Sequence, residues 1–157
     1  MAAPGRSIPV LLNATTRTGK SSLPFNELKD QTPSITASAF TSALSQAANG
    51  VSIVTTIHDD VNAGLTVSSM CSVCADPALL LVCVNSDNVF CKMADASGRF
   101  AVNILPSSCV ELATVFAGLN EELNENRFST GVWTTLTTGA PILSDALIAL
   151  DLSLIHI

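Results

Sequence analysis

The sequence is short of basic residues and of long apolar runs, and it carries none of the common phosphate-loop or hydrolase signatures. Seven Lys and Arg stand against thirteen Asp and Glu, a formal net charge of −6. Such a chain repels a phosphate backbone and has no cationic stripe for counterion release, which excludes nucleic acid as a partner. The longest unbroken apolar run, Ala78–Val84, falls far short of the roughly 20 residues that cross a bilayer. The N-terminus has no secretory apolar core. No membrane contact is therefore expected, and a cytoplasmic location is.

No G-x-G-x-x-G follows a strand pattern, and neither a Walker loop nor a G-x-S-x-G elbow is present. His58 and His156 are the only histidines. A Ser/His/Asp or Cys/His device would have to recruit His58 from a turn beside two aspartates, where a solvated side chain is the better reading. The five cysteines, Cys71, Cys74, Cys83, Cys91 and Cys109, are odd in number and lie mostly in apolar stretches. They read as reduced, small hydrophobic residues and not as a disulfide framework. Cys71-Ser72-Val73-Cys74 has C-x-x-C spacing, but no second pair stands at ribbon spacing. In a regular strand, residues three apart face opposite sides, so no metal site is expected here.

What is present organises into one domain, since 157 residues bury about two-thirds of their unfolded surface without staples. Residues 1–35 differ from the rest: Pro4, Pro9, Pro24 and Pro33 punctuate a Ser/Thr-rich segment with no acid before Glu27. This reads as a flexible arm. An organelle transit peptide is the competing reading, opposed by poor helical amphipathicity and interrupting prolines.

From Thr36 onward, Phe40, Leu44 and Ala47 or Ala48 mark a helical face ending at Gly50. Val51–Ile57 is a β-branched run, followed by a turn composition from His58 to Gly64 and a second strand over Leu65–Val73. Asp76-Pro77 breaks the chain before Leu79–Val84, which suits a strand buried on both faces. Asp87–Ala96 reads as a helix closed by Gly98, and Phe100–Leu105 as a short strand. Ser108-Cys109-Val110-Glu111 is a capping box opening a third helix that ends at Gly118. Short strands interspersed with helices predict an α+β fold with a mostly antiparallel sheet or barrel.

The most informative chemistry is hydroxylic. Thr66, Ser68, Ser69 and Ser72 lie close together beyond Gly64, where hydroxyls and consecutive main-chain amides can hold phosphate oxygens without a basic side chain. An ordinary strand with polar faces explains the same residues.

Here the residues resemble a known family. Gly50-Val51-Ser52-Ile53-Val54-Thr55-Thr56, Gly64-Leu65-Thr66-Val67-Ser68-Ser69, Ser72-Val73-Cys74-Ala75-Asp76-Pro77 and Leu81-Val82-Cys83-Val84-Asn85 occur in the order and spacing of the flavin reductases that serve two-component flavin monooxygenases. The likeness continues through Phe100-Ala101-Val102-Asn103-Ile104-Leu105, Phe116-Ala117-Gly118, Arg127-Phe128, Trp133 and Gly139-Ala140-Pro141-Ile142-Leu143, covering about Phe40 to Leu150.

The resemblance implies an FMN-binding split β-barrel with short helices. It implies a homodimer, hydride transfer from NADH or NADPH to FMN or FAD, and delivery of reduced flavin to a partner monooxygenase. Carried over, it places Thr66, Ser68 and Ser69 at the flavin phosphate or ribityl chain, and Ser72 with Val73 along the ring. Val84, Asn85 and Ser86 would follow the cofactor's next turn, with Thr55 and Thr56 behind it and Phe116 closing one side. No acid–base or nucleophilic catalytic residue and no metal ligand is implied. A split barrel that binds FMN without turnover is the alternative.

Two departures complete the expectations. Cys74 stands where the family more often has Ser or Thr. Family members continue past the equivalent of Leu150 with further strands, so the domain, read as 36–151, is expected to be incomplete, leaving Ile142–Leu150 without its cover. Residues 152–157, LSLIHI, match a translation of CTG-TCT-CTT-ATA-CAC-ATC, a transposon-end adapter, and are expected to be a non-native tail.

Overall fold

A computed structural model describes residues 36–155, together with the main chain of Ser7 and Ile8. The rest of the arm expected over residues 1–35, and His156 and Ile157 of the expected tail, lie outside the described residues. The chain divides into two units, 11–49 and the remainder. The described part of the first is helix α1 (Ala37–Leu44), whose Thr36 side chain accepts from the Ala39 amide at 3.2 Å.

The helix ends well before Gly50. Gln46 N bonds Ala43 O and Ala47 N bonds Leu44 O, so the last turn tightens to three-residue spacing and stops.

The second unit, after the short strand β1 (Ser7–Ile8), centres on an antiparallel four-stranded sheet in the order β10-β7-β2-β3. Its strands are β2 (Ser52–His58), β3 (Val61–Val67), β7 (Arg99–Ile104) and β10 (Ile148–Ser153). The β-branched run read from the sequence becomes the middle strand β2, with β3 on one side and β7 on the other.

Its alternate side chains feed two cores. Val54 joins Ala63, Val67, Val84, Phe90, Phe100 and Val102, while Ile53 joins Leu112, Val115, Phe116 and Leu143. A strand covered on both faces needs hydrophobic or internally satisfied polar residues, which Ile53 to Thr56 supply, while Ser52 Oγ is buried without a hydrogen-bond partner among the described residues.

The turn after β2 is tighter than its composition implied. Asp59 and Asp60 form a two-residue connection with φ of 48° and 61°, the left-handed pair that matches hairpin twist. Val61 already pairs with His58, and Gly64 lies inside β3 opposite Thr55.

The strand expected over Leu65–Val73 is interrupted at Ser68-Ser69, and β4 (Met70–Ala75) pairs with β5 (Ala78–Val82) as a separate hairpin around a cis Asp76–Pro77 bond. The register shifts between Ser72 and Cys74. Val73 is thus the extra residue of a β-bulge.

That bulge overturns the expectation for the two cysteines. Cys71 faces Leu81 and Cys74 faces Leu79, and residues two apart on β5 share a face. Cys71 and Cys74 therefore point to the same side. Nor is β5 buried on both faces: Met70, Leu80 and Val82 pack against the core, while Cys71 and Cys74 on the other side are exposed.

Strand β6 (Val84–Asn85) follows directly and pairs with β1. Helix α2 (Val89–Ser97) closes as read, capped by Asn88 and by Gly98 in the left-handed conformation. The capping box does not form. A 3-10 turn over Ser107–Cys109 precedes helix α3 (Val110–Phe116), making Cys109 the cap residue without a side-chain bond. Ser108 is thereby drawn inside the turn.

Strands β8 (Trp133–Thr135) and β9 (Pro141–Leu143) form a last hairpin. Ile142 and Leu143 are buried, contrary to the expected loss of cover, because β9 packs on the β2–β7 face. Leu147 and Ile148 are exposed. Strand β10 pairs with β7 through Ser153.

Candidate functional site

The hydroxyl-bearing segments come together where the β4–β5 ladder runs past its strands. Cys83 N donates to Ser69 O at 2.9 Å, and Ser69 Oγ donates to Cys83 O at 2.9 Å. These reciprocal bonds set the Ser68-Ser69 connector beside Val84-Asn85-Ser86. Ser68, Ser69, Ser72, Val73 and Asn85 are exposed, Ser86 is half-buried and Val84 is buried. Asn85 Oδ1 accepts from Asp87 N at 2.9 Å, an Asx turn that fixes the segment after the strand. The bulge at Val73 brings the same treatment to Ser72-Val73, since an unpaired bulged residue re-aims its neighbours.

Three of the expected residues are placed differently from the serines. Thr55 and Thr56 are fully buried. Thr55 Oγ1 donates to Pro141 O, and Thr56 Oγ1 donates to Arg99 O at 2.7 Å. Their hydroxyls saturate the sheet interior and do not join the exposed group. Thr66 Oγ1 donates to Ala113 O at 2.7 Å, so its proton ties β3 to α3 and only its lone pairs remain free.

Phe116 forms the wall behind β3. Its ring lies 5.1 Å from Phe128, edge-on at 89°, and 5.3 Å from Trp133. Gly64 makes this possible: a Cβ there would sit 2.9 Å from Phe116 Cε1 and 3.0 Å from Val54 O. The close approach expected of Gly64 is thus made by an aromatic side chain of the chain itself.

Sequence reasoning gave no role to Arg127. Its Nη1 lies 3.3 Å from Gly64 O and 3.4 Å from Phe116 O, while Nε and Nη2 hold Asn124 O and Oδ1 at 3.2 and 2.8 Å. The guanidinium thus meets the C-terminal carbonyl of α3, where a cation complements the helix dipole. The signal available was a lone arginine within an acidic loop. Asn103 was also missed as a polar centre: Nδ2 donates to Ile53 O at 3.2 Å, and Oδ1 accepts from Leu143 N at 2.8 Å. No periodicity announces such a link between strands distant in sequence.

Burial, then the neighbouring Cys71, raises the Cys83 thiol above its usual pKa, so this thiol stays protonated at neutral pH. Among the described residues no group of three His, Cys, Asp or Glu is placed to hold a metal. The arrangement offers hydroxyl and amide donors without a nucleophile–base pair, which suits holding an anionic, polyhydroxylated ligand.

Residues 44–157 match the model of the flavin reductase like domain, and the chain belongs to that family. It is 37% identical over 119 residues to the FMN reductase (NADH) RutF of Ancylobacter novellus, covering 76% of this chain and 65% of that protein. Its fold resembles BorF, the flavin reductase component of a bacterial two-component tryptophan halogenase, with a TM-score of 0.68, 28% identity, and 77% and 76% of the two chains covered. It also resembles the Streptomyces globisporus NADH:FAD oxidoreductase SgcE6 in complex with NAD and FAD fragments, with a TM-score of 0.62, 29% identity, and 69% and 63% covered.

The architecture is the split barrel of these flavin reductases, α+β and mostly antiparallel as expected. The chain spans 56% to 67% of the length of its curated relatives.

Proposed function

We propose that this member of the flavin reductase-like family is the flavin-holding part of an NAD(P)H-dependent flavin oxidoreductase. It acts as a homodimer and supplies reduced FMN or FAD to a partner monooxygenase. The observation that carries the reading is the reciprocal Ser69–Cys83 pairing, which sets two exposed hydroxyl- and amide-rich segments side by side. Their donor chemistry fits a flavin: the Ser68 hydroxyl and the main-chain amides of Ser68 and Ser69 hold the phosphate or ribityl chain, the Ser69 proton being committed to Cys83 O. Ser72 and Val73 border the ring, and Asn85 and Ser86 follow the next turn. Val84 anchors this lip in the core, while the half-buried Thr66 and the buried Thr55, Thr56 and Phe116 act indirectly, by holding β2, β3 and α3 in place.

When bound, the flavin supplies a ring that accepts hydride from a reduced nicotinamide. The chain's own part is to bind, orient and exclude water, which explains why no acid–base pair accompanies the serines. The Phe116–Phe128–Trp133 cluster and the Arg127 bonds keep β3 and α3 fixed while the lip engages ligand.

Charge explains a further property. In a protein of net charge −6, neutral donors, worth about 1.5–3 kcal/mol each to a charged acceptor, hold a phosphate more loosely than cationic side chains would. Loose holding suits a flavin that must leave once reduced. NADH as donor is supported by the names of the relatives, and the oxygenase partner by the likeness to a two-component system.

The test is FMN titration by fluorescence quenching, joined to loss of NADH absorbance. Binding with NADH consumption is expected. Tight binding without consumption would turn the reading to a non-catalytic flavin carrier.

A further inference from the structure

We infer that Cys71 and Cys74 are a modification site, a surface dithiol that a hydroperoxide closes to an intrachain disulfide, and that closure remodels the bulge at Val73. The register carries the first half. Cys71 opposite Leu81 and Cys74 opposite Leu79 project from one face, and both side chains are exposed.

They stand one strand repeat apart, about 6.6 Å for two residues of rise, at the upper limit of the Cα separation that a disulfide spans. Parallel Cβ vectors leave the sulfurs short of bonding distance in the bulged conformation. The strand must contract between them, and the residues between them are Ser72 and Val73.

The chemistry balances with one peroxide. The Cys71 sulfur attacks the O–O bond, an S–O bond forms, and water or an alcohol leaves with the thiol proton. The Cys74 sulfur then displaces hydroxide from that sulfenic acid, the S–S bond forms and a second water leaves. The two sulfurs give up two electrons and the peroxide takes them.

Cys71 is the attacking partner because the Cys74 sulfur is engaged with Asp76 O at 3.1 Å, which orients it away from an incoming peroxide. Cys83 is the neighbouring competitor. It is half-buried, and burial together with Cys71 raises its thiol pKa, which disfavours the reactive thiolate. A source of oxidant is at hand wherever reduced flavin meets oxygen.

The effect on flavin rests on the function proposed above, since Ser72 and Val73 border the ring in that reading. The test treats the reduced chain with hydrogen peroxide, counts thiols, and maps products by mass after cleavage at Leu79–Leu81, which separates Cys83 from the pair. The expected result is loss of two thiols and a peptide holding Cys71 and Cys74 lighter by two hydrogens. In Cys74→Ser, with an unchanged melting temperature, dimedone captures a sulfenic acid at Cys71 instead.

A disulfide to Cys83, an interchain disulfide, or thiols untouched in the folded chain but oxidised once it is denatured would overturn the site. FMN titrated into both redox states should show at least an approximately tenfold loss of affinity on oxidation, absent in treated Cys74→Ser. Equal affinity in the two states would overturn the remodelling. A reduced chain that binds no FMN would refute the proposed function, while the peptide map would still decide the dithiol.

Discussion

The four-stranded sheet and the β4–β5 hairpin are both antiparallel, yet they are built to opposite ends. In the sheet, β2 is buried from Ser52 to Thr56, and its threonine hydroxyls are closed off internally, while Ser52 Oγ is buried without a hydrogen-bond partner among the described residues. Asn103 and Thr55 bridge to β9, and Thr56 bonds across to Arg99 O. In the hairpin, Cys71 to Ala75 are exposed, the ladder is bulged, and serine hydroxyls and Asn85 face solvent. The difference teaches that specificity of fold and capacity to bind are kept apart. A close-packed interior resists change, and a hairpin with only one packed face can adapt to a ligand.

The comparison is sharpened first at the wall behind β3. Phe116→Ala removes a fully buried ring from a cluster of three aromatics and should cost about 3–5 kcal/mol in chemical denaturation. A smaller loss would mean that the wall collapses readily and that β3 is not held by it. Next, Gly64→Ala places a methyl 2.9 Å from Phe116 Cε1 and 3.0 Å from the Val54 carbonyl. Because one obstacle is backbone, it should destabilise by about 1–3 kcal/mol, read as a lower denaturation midpoint at unchanged slope.

Substitution in the hairpin should divide the two properties. Ser69→Ala removes one partly solvated hydrogen bond, so stability should fall by no more than about 1 kcal/mol. FMN affinity, measured by fluorescence, should fall by about tenfold or less. A large loss of stability with flavin affinity intact would reverse the division drawn here. The smallest effect is expected at the turn. Asp60 adopts φ 61°, a conformation that costs a residue with a Cβ. Asp60→Gly creates the Asp-Gly pair favoured in such turns and should raise the melting temperature slightly, strain relief of about 1 kcal/mol outweighing the added unfolded-state entropy of glycine.

Local signals were read well where local physics rules. The β-branched run became the central strand, and Asn88 and Gly98 bracket α2 because caps and left-handed glycines act within one turn. Less was legible where a distant partner decides. The pattern Leu65–Val73 looks continuous, yet the chain leaves β3 at Ser68 because Ser69 pairs with Cys83, fourteen residues on. Ser108 and Glu111 carry a capping box, but the 3-10 turn entered from Pro106 moves the cap to Cys109. Arg127 could be recognised as a lone cation, though not as the link between Gly64 and Phe116.

The candidate site shows the same boundary. Its residue types and order, and through them the family, were determined by the sequence alone, because composition and spacing persist whatever the packing. Which hydroxyls face outward was decided only in three dimensions. Thr55, Thr56 and Thr66 bond to carbonyls brought from elsewhere in the chain, whereas Ser68 and Ser72 stay open. The side on which Cys71 and Cys74 stand was likewise decided by tertiary structure. Strand alternation sets them apart, and a single bulged residue, accommodated because its partner strand lies on the opposite arm of a hairpin, puts them together.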